Sequence, residues 1–235
     1  MYIRPAIRDD IAEITKLYNV HILHNIAAPE TEEVTKEVME SRFAKVRAAT
    51  LPYHVACEHA IQHPRTVKGL PSRFADITLP DKVIGFAFVT PYGTEAHSIY
   101  ESTVKLEFWT DRTYALKGVG KCLFDKLLAA IDSGYTERAD VEFQGAPTFA
   151  NTDYKANVKN LSVSVPYEAE KPSKFWLGPW LERSHGPDFV RSGSFERIGE
   201  KSGKSLSVAV YHRTTKAAWG GVMGNKVDSA AVGQW

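Results

Sequence analysis

The sequence predicts an α+β domain with helices and strands interleaved around one mostly antiparallel sheet. Three observations predict it. The apolar residues switch repeatedly between helical and alternating spacing, in the order βααβββαβαββ. A strand runs through a Gly-x-Gly turn straight into an apolar helix. Two strands around a glycine turn, "FVRSGSFERIGEKSGKSLSVAVYHRT", close the pattern as a hairpin with Gly203 at the turn.

The elements follow in order. "MYIRPA" is a short first strand. In "IRDDIAEITKLYNVHILHN", Ile11, Ile14, Leu17, Tyr18 and Ile22 recur at helical spacing behind Asp9 and Asp10, either of which can cap. "TEEVTKEVMESRFAKVRAA" gives a second helix with Val34, Val38, Phe43 and Val46 inward and acidic residues in its first turns. "PYHVACEHA" and "KVIGFAFVTPY" read as antiparallel strands, separated by a proline-bearing insertion near residues 61–81. "SIYESTVKLEFW" is a strand with Tyr100, Ser102, Val104, Leu106 and Phe108 on one parity. Val119, Leu123, Leu127, Leu128 and Ile131 stripe the helix that follows. A polar, irregular insertion spans 137–159. "LSVSVPY" is then a strand, "PSKFWLGPWLERS" a short helix, and the hairpin completes a single domain over residues 1–215. Residues 216–235 form a glycine- and alanine-rich tail.

A chain of 235 residues can bury about 70% of its unfolded surface without metal or disulfide. Lys plus Arg at 29 against Asp plus Glu at 28 leaves +1, so the electrostatic footprint of a nucleic-acid or anionic-membrane binder is missing. Cys57 and Cys122 make no disulfide framework, and no apolar signal core or membrane-length stretch occurs. A cytoplasmic protein working on a small molecule is expected.

The strand, glycine turn and helix around "TDRTYALKGVGKCLFDKLLAAID" leave the helix's first N–H groups unpaired at the positive end of its dipole, a site suited to an anion. Gly118-x-Gly120 alone is also an ordinary tight turn. The third glycine of the dinucleotide fingerprint and the Gly-Lys-Ser/Thr of the P-loop are both missing. Lys117 and Lys121 add positive charge there, or form a solvated helix end. His54, His59 and His63 can be drawn as a metal cluster, but strand alternation puts His54 and His59 on opposite faces, and no metal is expected. His21 and His24 pack or cap.

Together, "IRPAIRDDIAEITKLYN", "VIGFAFVTPY", "ESTV" before "KGVGKCLFDKLL", and the closing hairpin resemble the GNAT superfamily of acetyl-CoA-dependent N-acetyltransferases, in particular its phosphinothricin acetyltransferase branch. The likeness runs from about Tyr2 to about Thr214 with the insertions left out. It implies a three-layer α/β/α arrangement with acetyl-CoA as co-substrate and no metal. It also implies a pyrophosphate loop at "ALKGVG", so that Leu116, Lys117, Gly118, Val119, Gly120 and Lys121 bind the cofactor. Ala115 stands where the family has Arg or Gln, and Leu116 where glycine is common.

Acetyl transfer to an amine needs a base, because the acceptor arrives as an ammonium ion, and a donor toward the developing oxyanion. The resemblance implies Glu101 as that base. Glu101 lies 14 residues before Ala115, so the strand's register decides whether Glu101, or instead Thr103 or Glu107, faces the site. It further implies main-chain contacts from Val104, Leu106 and Phe108 to the thioester and pantetheine, and acceptor contacts from Pro29, Glu30 and Thr103. In the branch a histidine commonly faces the substrate; the corresponding stretch here is "ERSHGPDF", where Ser184 falls at that position and a one-residue slip would put His185 there. The expected activity is direct acetylation of a small primary amine, an amino acid or amino-acid-like xenobiotic. The alternative is a degenerate acyl-CoA-binding or protein-interaction module. Homodimers are common in the branch, so a homodimer is one assembly open to this chain.

Overall fold

The computed structural model describes residues 1–59, 81–93, 99–145, 158–171, 176–184 and 189–215. Among these residues, seven strands form one sheet in the order β1-β2-β3-β4-β5-β7-β6. The strands are β1 (Tyr2–Pro5), β2 (Tyr53–Glu58), β3 (Lys82–Pro91), β4 (Thr103–Thr110), β5 (Asn160–Glu168), β6 (Val190–Lys201) and β7 (Lys204–Thr214). The helices are α1 (Ile11–His24), α2 (Lys36–Ala48), α3 (Val119–Ile131) and α4 (Leu177–Ser184). The element order is the one the sequence predicts. Every pairing is antiparallel except β4 with β5.

α1 and α2 cover one face of β2–β4, where Tyr18 meets Phe86 and Trp109, and Phe43 meets Tyr53. α3 and α4 cover the other, where Phe108, Phe124 and Trp180 pack together. All five apolar positions predicted for α1 are buried.

Several local expectations are corrected. Val38 is 41% exposed, and Met39, at 2%, takes the inward position in α2. The helix starts one residue after Thr35, whose Oγ1 caps it by accepting the Val38 N–H. Asp10 precedes α1 without capping it by its side chain. Its carboxylate accepts the Ile7 N–H and both arms of Arg4, each at 2.7 Å, a bidentate fork that fixes the entry to the helix. β4 begins at Thr103, and Tyr100–Ser102 belong to the turn before it.

The second insertion is irregular but not loose along its first residues. Ile3 donates to Glu142 C=O and accepts from Gln144 N–H, a parallel bridge along the outer margin of β1. Pro5 has no N–H, and its C=O accepts from Arg4. The buried Asp125 of α3 holds the same insertion through Tyr135 Oη and the Arg138 and Ala139 amides.

At the end of α3, Asp132 pairs with Arg213 of β7 at 2.7 Å, the two side chains 0% and 1% exposed. Removing one partner leaves the other charge buried. Asp132→Asn is therefore expected to cost about 3–5 kcal/mol, on the order of 10 °C in Tm for a chain this size, read by calorimetry. A loss near zero would mean that water reaches Arg213.

Candidate active site

The parallel pair does not stay closed. β4 and β5 share only Thr103↔Asn160, Val104↔Leu161 and Lys105↔Ser162. Beyond them β4 follows β3 to Thr110, and β5 follows β7 to Glu168. A gap therefore opens in the sheet.

The polarity of its β4 wall follows from the ladder. Thr103 C=O accepts from Tyr92, and Asp111 N–H donates to Ile84, so odd-numbered residues of β4 bond toward β3. Ser102 C=O accepts from Lys159 and Asn160 on the other side. By that alternation Leu106 and Phe108 turn their main-chain groups toward the gap, whereas Val104 lies in the closed part of the ladder. Within the gap, Thr110 C=O is met by His21 Nε2 at 2.8 Å. The carbonyl can only accept, so Nε2 carries the proton, and burial lowers the His21 pKa.

The start of α3 lies against this gap. Its first helical bond runs from Cys122 N–H to Gly118 C=O, which leaves the amides from Gly118 to Lys121 pointing out of the helix end. Gly118 adopts φ +85, a left-handed conformation costly for other residues. A Cβ on Gly120 would touch Thr110 Cγ2 at 3.4 Å and the Phe108 ring at 3.7 Å, so a bare residue there lets the helix start sit close on the end of β4. Leu116 takes φ +62 and is fully exposed. The backbone thus keeps a left-handed turn where the resembled family commonly has glycine. Lys117 Nζ sits 4.7 Å over the Tyr114 ring, and Lys121 is exposed.

The α1–α2 side of the gap carries a charged network. Glu30 accepts from Tyr18 Oη at 2.7 Å and from Arg42 Nη2 at 2.5 Å, and the Arg42 guanidinium lies 5.5 Å over the Tyr18 ring. Burial acts to raise the Glu30 pKa, but the bonds from Tyr18 and Arg42 outweigh it and hold the group below the usual range. Tyr18 is pushed up, by burial first and then by Glu30. Glu107, half-buried on β4, pairs with Lys105 at 3.1 Å and acts electrostatically on Tyr18.

A carboxylate with a depressed folded pKa contributes stability that is fully present above its unfolded value, about 4.3 for Glu, and lost as pH falls through the lower folded value. Tyr18→Phe removes one of the bonds that depress Glu30. Urea unfolding should show a larger loss at pH 7 than at pH 3. A loss equal at both would mean that the Tyr18 hydroxyl does not distinguish charged from neutral Glu30.

The structure places the predicted residues unevenly. Leu106, Phe108, Gly118, Val119 and Gly120 border the gap or the helix start. Thr103 opens β4. Glu30 lies within the network above, and Pro29 is exposed. Glu101 is exposed in the turn before β4. His185 and His63 lie outside the described residues, as do 60–80, 146–157 and 216–235 of the insertions and tail. Buried His54 has its pKa pushed down to about 4 by burial, and His59 stacks on Tyr2. The contacts of Arg42 and His21 were not legible in the sequence. Arg42 gave no periodic signal, and Tyr18 read only as core.

A mixed sheet split at the parallel β4–β5 pair, with a helix start set against the split, is the fold of the GNAT acetyltransferases. Solved structures agree. The chain superposes at TM-score 0.61 on a ribosomal-protein-alanine N-acetyltransferase from Brucella melitensis, with 15% identity over 91% of this chain and 99% of that one. A GNAT superfamily phosphinothricin acetyltransferase from Sinorhizobium meliloti, in complex with AcCoA, gives TM-score 0.61 and 20% identity over 91% and 87%. An N-acetyltransferase from Staphylococcus aureus Mu50 gives 0.61 and 17% over 90% and 96%. No protein-family model and no curated protein matches the sequence. Among the described residues, no helix is long and apolar enough to cross a membrane.

Proposed function

We propose that the protein is an acetyl-CoA-dependent N-acetyltransferase that moves the acetyl group directly to the primary amine of a small molecule, an amino acid or an amino-acid-like xenobiotic. One observation carries this reading: the gap between β4 and β5 adjoins the unpaired amides at the start of α3. A strand-like arm fits the first, and a pyrophosphate fits the second. The similar structure from Sinorhizobium meliloti, with its bound AcCoA, supports the same donor.

In this reading the amides from Gly118 to Lys121 bind the pyrophosphate, with Leu116 and Lys117 beside them. Main-chain N–H groups of β4 near Leu106 and Phe108 polarise the thioester carbonyl. A glutamate takes the ammonium proton, the free amine attacks the thioester carbon, and the C–S bond breaks to release coenzyme A. Half-burial, and a place on β4 facing Tyr18, favour Glu107 as that base over the exposed Glu101. His185, Pro29, Glu30 and Thr103 stay with the acceptor side.

A second reading, an acyl-CoA-binding module without turnover, is favoured by Ala115 and by the exposed, left-handed Leu116. An amine library assayed for free thiol separates the two. Thiol release that depends on one amine class supports the enzyme, and acetyl-CoA binding without release on any amine supports the module.

A further inference from the structure

The β6–β7 hairpin turns beside the last pair of β5 with β7, Glu168↔Leu206, at the open end of the gap. It delivers Lys201, 7% exposed, whose Nζ donates to Ala28 C=O at 2.7 Å. Ala28 lies in the α1–α2 connection, two residues before Glu30. Lys201 therefore spans the mouth of the gap, from the β5–β7 half of the sheet to the α1–α2 half.

The charges at this mouth do not cancel. Arg42 is matched by Glu30, and Lys105 by Glu107. Lys201 forms no ion pair among the described residues. An ammonium has three donors, and here one is used, on a neutral carbonyl. Burial lowers the Lys201 pKa, partly offset by the Glu30 charge acting at longer range, so among the described residues the group is desolvated with no carboxylate in direct contact. A buried cation of this kind gains most from a ligand anion.

We propose that Lys201 is the specificity-determining residue of the acceptor site, and that it takes the carboxylate of an α-amino acid or close analogue. This rests on the acetyltransferase reading given above. The acceptor carboxylate completes the ion pair that Lys201 lacks, while its amine is left for the base on β4.

The test compares α-amino acids with their carboxamides, which keep the amine and remove the negative charge. With the unaltered protein, kcat/KM for the acid should exceed that for the amide by about tenfold to a hundredfold, the range expected of a charge-assisted bond. Lys201→Met should bring the acid-to-amide ratio to near one, chiefly through KM, and Lys201→Arg should restore part of it. An unaltered protein that does not prefer acids overturns the proposal. So does a Lys201→Met loss equal for both acceptors, which would mark Lys201 as a latch on Ala28 only. Thermal shifts of the coenzyme A-saturated protein with acid and with amide decide the same question without turnover. Absence of thiol release alongside an acid-selective shift that Lys201→Met removes would overturn the enzyme reading and leave Lys201 as a carboxylate-binding residue only.

Discussion

Acetyl-CoA should raise the Tm of the unaltered protein and leave that of Gly118→Val where it was. At a hundredfold excess over Kd, a ligand that binds only the folded state contributes about 2.7 kcal/mol, and this whole increment should vanish. Two effects combine. A β-branched residue at φ +85 is strained by about 1–2 kcal/mol, which shifts the backbone that aims the amides. The space a Cβ would enter is also open, with nothing within 4 Å, so the side chain does not clash with the protein. It fills the approach to the amides instead. The strain lowers Tm in both samples, and only the ligand-induced difference is diagnostic. An undiminished shift in folded Gly118→Val would place the coenzyme elsewhere.

Glu107→Gln should lower kcat/KM by ~10²–10⁴ at neutral pH and leave the acetyl-CoA shift intact. The deficit should shrink as pH rises toward the amine's own pKa, because solvent then supplies free base. A positioning residue would give a deficit parallel across pH. Glu101→Gln, in the exposed turn, should change kcat/KM by about twofold or less, the effect of a surface group outside the chemistry. If the two variants exchange these results, the base works from the turn before β4, and the sheet gap keeps its role in binding the coenzyme.

The distance in sequence between interacting groups decided what was legible. The stripe Ile11, Ile14, Leu17, Tyr18, Ile22 and the turn at Gly203 are set by neighbours a few residues away, and both were readable. The glycine turn before α3 was readable for the same reason. The start of β4 was not, because the alternation of Tyr100 and Ser102 continues the strand's parity into a turn. Val38 and Met39 are adjacent apolar residues, so a one-residue difference in helix phase exchanged them. The acceptor side was least legible. Tyr18, Glu30 and Arg42 meet across a loop, and Lys201 meets Ala28 over 173 positions, which leaves no periodic trace. The Asp132–Arg213 pair is hidden likewise, since each residue alone reads as a surface charge.

The two margins of the sheet are not equivalent as places for another strand to join. Along β1 the outward groups of Ile3 are already bonded to the chain's own 142–144 segment, and Pro5 has no N–H to offer. A foreign strand meets a filled ladder there. At the opposite margin β6 runs twelve residues with Phe195 and Ile198 exposed, and its regularity is broken by shifts between Arg191 and Gly193 and between Phe195 and Gly199. Such bulges interrupt the even row of donors and acceptors that edge-to-edge growth requires. Among the described residues, β1 therefore offers no row of free groups to a further strand, and β6 offers one only in short registers.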